Sequence, residues 1–289
     1  MGFERRFRSG FAAALILAAS AATAFAHEGI EARIADLSRQ IAQSPDDAVL
    51  YLRRGEYRRL GSYFNAALID FGRAAVLAPD LEGLALARGR SLLAIGRIDA
   101  ALAQLERACC DAPEDPTARV ELGRALRAAS RYEESAACFA EALRMLPTPR
   151  PEHFIEHADV LVLGPGGAAA AIAALDAGIG RVGAVVSLQL RALELEAQTG
   201  ECDAALRRVD ALIASAHRKE MWHLRRGELL EQASRPVAAL EAYCDCIDAI
   251  GLLRARHRNT PAVEALAKAA ETAIQRLRDQ VQRAEGTNR

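Results

Sequence analysis

The amino-acid sequence predicts an all-α solenoid of helix-turn-helix repeats with terminal capping helices, and two observations carry that expectation. The first is a fixed period. Gly55, Gly89 and Gly123 stand 34 residues apart, and so do Phe64, Ile98 and Tyr132; Ala67, Ala101 and Ser135; Phe71, Leu105 and Phe139; Ala74, Ala108 and Ala142; and Pro79, Pro113 and Pro147. Six in-phase columns over three units are the signature of a repeat array, because one unit cannot bury its apolar faces alone and must stack on the next. The second observation is composition: alanine is abundant and aromatic residues make up only 5%. That mix suits close helix-on-helix packing; a strand-rich core would use more β-branched and aromatic residues.

Taken in chain order, the first element belongs to targeting rather than to the fold. Arg5, Arg6 and Arg8 form a positive region, Phe11 to Ala22 an apolar one, and Ala24-Phe25-Ala26 a small-x-small cleavage site. Residues 1–26 therefore read as a secretory signal peptide, with cleavage at Ala26/His27. No cysteine follows that site and the apolar run is too short for a membrane span, so the product is expected to be periplasmic or secreted and soluble. Losing three arginines and one glutamate takes the formal net charge from −1 to −3. Such a balance argues against bulk binding to nucleic acid or an anionic membrane, whose electrostatic footprint is a strongly basic face.

Residues 27–47 read as an N-terminal cap, with Ile30, Ile34, Leu37 and Ile41 on one helical stripe that ends at Ser44-Pro45. Residues 48–149 hold three regular repeats. In each, a glycine allows close helix approach, and Gly61-Ser62, Gly96-Arg97 or Ser130-Arg131 makes the turn. A small residue followed by a large one a turn later lines the second helix, and proline ends it. Residues 150–252 hold three divergent repeats. Arg226-Gly227-Glu228 repeats Arg54-Gly55-Glu56, and Gly227 lies two residues out of phase with Gly123, which places one or two inserted residues between about 164 and 186. Residues 253–289 read as a C-terminal capping helix opened by Thr260-Pro261, with a disordered tail after about Glu285.

On these columns the chain resembles the tetratricopeptide repeat family. The resemblance implies a right-handed superhelical solenoid whose first helices line a concave, partner-binding face, with the residue after the packing glycine looking into it. Carried onto this sequence, the groove residues are Arg53, Glu56, Arg59, Arg90, Arg124, Arg127, Glu228 and Glu231, and Arg90, Arg124 and Arg127 form a local basic stripe. One column departs from the family: the large residue expected early in the first helix is Tyr51 in one unit but Ala85 and Arg119 in the next two.

Other motifs have bland readings beside sharp ones. His153-Phe154-Ile155-Glu156-His157 spells the H-x-x-E-H of inverted zinc peptidases, in which two histidines one turn apart share a metal and the glutamate activates water. It falls here in a repeat helix without that family's scaffold, so surface or groove histidines are the expected state. A terminal His27 could chelate copper; a mobile terminus is the simpler state. Gly164-Pro165-Gly166-Gly167 lacks the lysine and hydroxyl of a phosphate loop and reads as a helix-to-helix turn. Six cysteines lack C-x-x-C spacing, although one bridge among Cys109, Cys110 and Cys138 is compatible with adjacent repeats.

The combined expectation is a periplasmic protein-interaction or scaffold module, not an enzyme, without cofactor. It holds an unknown protein or peptide by an acidic or C-terminal segment. The alternative is a metal-dependent hydrolase or metal-binding protein using His153, Glu156 and His157.

Overall fold

The computed structural model describes residues 28–287, with side chains to residue 280. The expected signal peptide and the His27 terminus lie outside the described residues. Every regular element among the described residues is an α-helix, fifteen in all. The chain divides after Pro147 into two compact units.

The first unit opens with α1 (28–43), whose Leu37 and Ile41 are buried against Leu50, Tyr51 and Tyr57 of α2. Three helix pairs follow: α2 (Ala48–Leu60) with α3 (Phe64–Leu77), α4 (Leu84–Ala94) with α5 (Ile98–Asp111), and α6 (Pro116–Ala128) with α7 (Tyr132–Met145). Each second helix also packs on the next first helix, α3 on α4 and α5 on α6. The pairs meet at the packing glycines. A methyl group on Gly55 would lie 2.3 Å from the Phe71 ring, and one on Gly89 2.6 Å from Leu105. Only a missing side chain lets these helices approach so closely.

The turn inside each pair has one recurring device. Ser62, Gly96 and Ser130 all have positive φ, at 63°, 75° and 59°, and the next residue donates its N–H back to the helix. Tyr63 bonds to Arg58, Arg97 to Leu92 and Arg131 to Leu126, each a six-residue closure that satisfies a terminal carbonyl. Asp47 and Asp115 cap the N-termini of α2 and α6 by accepting from Val49 and Thr117.

The second unit holds α8 (Pro151–Leu163) with α9 (Gly167–Val182), α10 (Val186–Gln198) with α11 (Cys202–Ser215), and α12 (Glu220–Gln232) with α13 (Pro236–Gly251). A short α14 (Ala255–Arg258) leads into α15 (Pro261–Thr287), which lays Val263, Ala270 and Leu277 on the cluster formed by α12 and α13. The helix continues to Thr287, past Glu285, the expected start of a disordered tail. Second helices begin at 64, 98, 132, 167, 202 and 236, so the step is 34 except for 35 on either side of α9. First helices begin at 116, 151 and 186, so one extra residue already precedes α8, before the expected interval, and the other falls between the starts of α9 and α10, inside it.

The fourth pair reverses a rule of the others. Its packing glycine is Gly178 on the second helix, where an added methyl would sit 2.7 Å from Phe154 on the first. In the fifth pair Leu193 occupies the glycine column and Val209 the aromatic one, and both are buried. Small-against-large complementarity is kept while the residues change places.

Candidate interaction face

The groove residues on the first unit sit on consecutive first helices, and one glutamate organises them. Glu121 on α6 accepts from Arg90 Nε on α4 at 3.0 Å and from Arg124 Nη1 on its own helix at 3.0 Å. Arg59 forms a two-donor pair with Glu56 at 2.9 and 2.7 Å within α2. Arg53 is exposed, and neither it nor the half-buried Arg127 has a charged partner among the described residues. The face therefore carries five arginines against Glu56 and Glu121, and Arg90 donates only its Nε–H. Its two terminal amino groups hydrogen-bond to no described residue, so donors remain for an incoming carboxylate.

Glu228 and Glu231 lie in the second unit, and each is paired there. Glu228 accepts from Arg225 at 2.7 Å on the same helix. Glu231 accepts the Tyr243 hydroxyl at 2.6 Å and Arg276 Nη2 at 2.7 and 2.8 Å, so it ties α12 to α13 and to the closing helix. The carboxylate raises the Tyr243 hydroxyl pKa further above its ordinary value, beyond what burial already does. Sequence position put Glu231 on the binding face; Arg276, 45 residues downstream, could not be foreseen as its partner.

The metal reading finds no support in the geometry. His153 is buried in the first turn of α8, with its ring nitrogens 3.4 Å from the Arg150 backbone N–H and 3.5 Å from the Arg150 guanidinium. A guanidinium at that nitrogen is a poor neighbour for a metal cation. Burial lowers the His157 pKa. Among the described residues no three His, Cys, Asp or Glu side chains are gathered as a ligand set. The six cysteines are free thiols, and the bridge that adjacent repeats would allow is not formed: Cys138 packs into the α4–α6 cluster, Cys109 beneath Ala85 and Ala118, and Cys110 is exposed. Burial pushes the Cys138 and Cys246 thiols up to about 11, which keeps them protonated and unreactive near neutral pH.

Residues 86–148 and 190–251 match the tetratricopeptide repeat family model. The helix pairs, turn residues and packing columns agree with that match, and these two segments are built of tetratricopeptide repeats. Its fold is similar to that of PilW, a type IV pilus biogenesis factor, at 19% identity and a TM-score of 0.54 over 65% of this chain and 87% of that one. A tetratricopeptide repeat protein from Parabacteroides merdae is similar at 14% identity and a TM-score of 0.51, over 82% and 91% of the two chains. The Cut9–Hcn1 hetero-tetramer structure gives 14%, 0.50, and 84% and 46%. No curated protein matches the sequence. Tetratricopeptide repeats bind peptides and proteins, so the fold supports an interaction scaffold. Among the described residues no helix is long and apolar enough to cross a membrane.

Proposed function

We propose that the protein is an exported, non-enzymatic interaction module that holds an acidic or C-terminal segment of a periplasmic partner on the first-helix face of its first unit. The observation that carries this reading is the Arg90–Glu121–Arg124 arrangement, with Arg127 one turn beyond Arg124. One carboxylate shared by two guanidiniums leaves the face positive and its geometry already set, so a partner carboxylate meets donors that need little reordering. Export rests on the composition of residues 1–26 and makes His27 the mature N-terminus.

The test follows from the same geometry. Reversing the two arginines alone would crowd three carboxylates around Glu121, whose side chain is only 12% exposed. The triple change Arg90→Glu, Glu121→Arg, Arg124→Glu instead keeps both ion pairs and inverts the sign of that three-residue cluster. With a fluorescent hexapeptide of aspartates and a free C-terminus as probe, binding by the full chain should weaken as salt rises, since exposed charge contacts are screened. The inverted variant should lose that binding while keeping its helicity. Undiminished capture by a folded inverted variant would rule the face out.

A further inference from the structure

The column that departs from the family has a structural consequence in the middle repeat of the first unit. In the first repeat Tyr51 donates its hydroxyl to the Pro45 carbonyl at 3.0 Å, and its ring lies under Arg54 and Arg73. In the third repeat Arg119 donates to the Pro113 carbonyl and pairs with Glu141 at 3.0 Å, with only 16% of its side chain exposed. Both side chains span the same place, from the start of a first helix back to the loop carbonyl six residues earlier. Between them stands Ala85, which reaches nothing. The carbonyl of Pro79 is bonded instead by Arg107 Nη2, at 2.9 Å.

Where the large side chain is missing the surface opens into a cleft of about 480 Å³, floored by Ala85, Leu86, Ala108 and Ala118. That volume is in the range of ligand pockets. The mouth carries Asp80, Glu82, Asp111 and Asp115. Two of these acids stand where the neighbouring repeats have apolar residues: Asp111 replaces Leu77 and Met145, and Glu82 replaces Ala48 and Pro116. Arg107 pairs with Asp80 at 2.8 Å and with Asp111 at 3.4 Å, and Asp115 caps α6. Glu82 is exposed and has no partner among the described residues. Carboxylates therefore outnumber cations around an apolar floor.

We propose that this cleft is a socket for an arginine side chain supplied by a protein partner. The two neighbouring repeats show which shapes fill the position, a tyrosine or an arginine, and the acidic mouth selects the arginine. Its apolar stem would cover the alanine floor while the planar head meets the carboxylates as a fork, a match that a lysine ammonium makes less well. The site is separate from the basic face and takes the opposite charge, so the protein would grip partners of mixed sign at two places on one unit.

The experiment follows the Ala85 and Ala118 methyl NMR signals of the full chain during titration with acetyl-Gly-Arg-Gly-amide. The same peptide with lysine or tyrosine at the centre, and free arginine, serve as comparisons. Saturable shifts are expected with the arginine peptide, at least fivefold tighter than with the other three. Ala85→Arg copies the next repeat and should abolish binding; Asp111→Leu copies the preceding repeat and should weaken it at least threefold, which keeps the test open if the first variant fails to fold. The inversion of Arg90, Glu121 and Arg124 should leave this binding unchanged, so loss of one site is told apart from loss of the other. Absence of saturation, equal binding of the tyrosine peptide or of free arginine, or full binding by a folded Ala85→Arg variant would overturn the assignment.

Discussion

The packing glycines differ from other helical glycines in what a single methyl group would meet. At Gly55 it would lie 2.3 Å from the Phe71 ring, in a core where Phe71 is fully buried and has nowhere to move. Gly72, one residue after that phenylalanine on α3, has nothing within 4 Å. Gly55→Ala should therefore destabilise by about 1–3 kcal/mol, the usual cost of overpacking. Gly72→Ala should stabilise by about 0.5–1 kcal/mol through helix propensity and a less disordered unfolded chain. Urea denaturation of the two variants gives opposite signs if the close approach is real, and the same sign if it is not. Gly55 could be picked out from sequence because it recurs. Gly178 could not, because it carries the same function on the other helix of its pair and so breaks the column.

At the scale of the helix pair, a buried ion cluster joins the first three helices. Asp70 on α3 is 2% exposed and accepts from Arg54 at 3.0 and 2.7 Å and from Arg58 at 2.8 Å, while Arg54 also reaches Ser38 on the cap α1. Removing the carboxylate would strand two half-buried guanidiniums. Asp70→Ala should cost about 3–5 kcal/mol, as does breaking other buried pairs from one side. A calorimetric melt of the variant that matches the wild type would show that the arginines find water instead. Helix boundaries were legible from the 34-residue columns because glycine, turn and proline each act locally. The ion cluster was not, since arginine next to the packing glycine reads equally well as groove, surface or core until the second helix supplies its partner.

For the whole molecule, a stack of this kind is held by neighbour contacts, so its ends are its weak points. In the second unit α15 covers the apolar face that α13 would otherwise expose, through Val263, Ala270 and Leu277. A chain ending at Gly251 should lose cooperative unfolding of the second unit and gain affinity for a hydrophobic dye, read by fluorescence and circular dichroism. Retention of a single sharp transition would count against the cap. The repeat class was legible throughout; the proposed binding surfaces were legible only in part. The basic stripe followed from two in-phase arginines, Arg90 and Arg124, with Arg127 one turn on, but its organising Glu121 and the tie of Glu231 to Arg276 depend on pairings across helices. The cleft depended on a residue that is not there, Ala85, and on Arg107 turning to the vacant carbonyl.

The ion cluster has a counterpart in the second unit with its polarity reversed. Three residues after the glycine column stand Arg58 and Glu196, and fifteen after it Asp70 and Arg208. Arg58 pairs with Asp70, and Glu196, 4% exposed, pairs with Arg208 at 2.6 Å. Near-identical repeats invite errors during folding, in which a first helix docks on the second helix of the wrong unit or of another molecule. Here such an exchange would set Arg58 against Arg208, or Glu196 against Asp70, in a space nearly closed to water. Like charges there are far costlier than at the surface. The two pairs thus act as a lock and a differently cut key, and they make the correct partner of each helix recognisable among its look-alikes while the chain is still assembling.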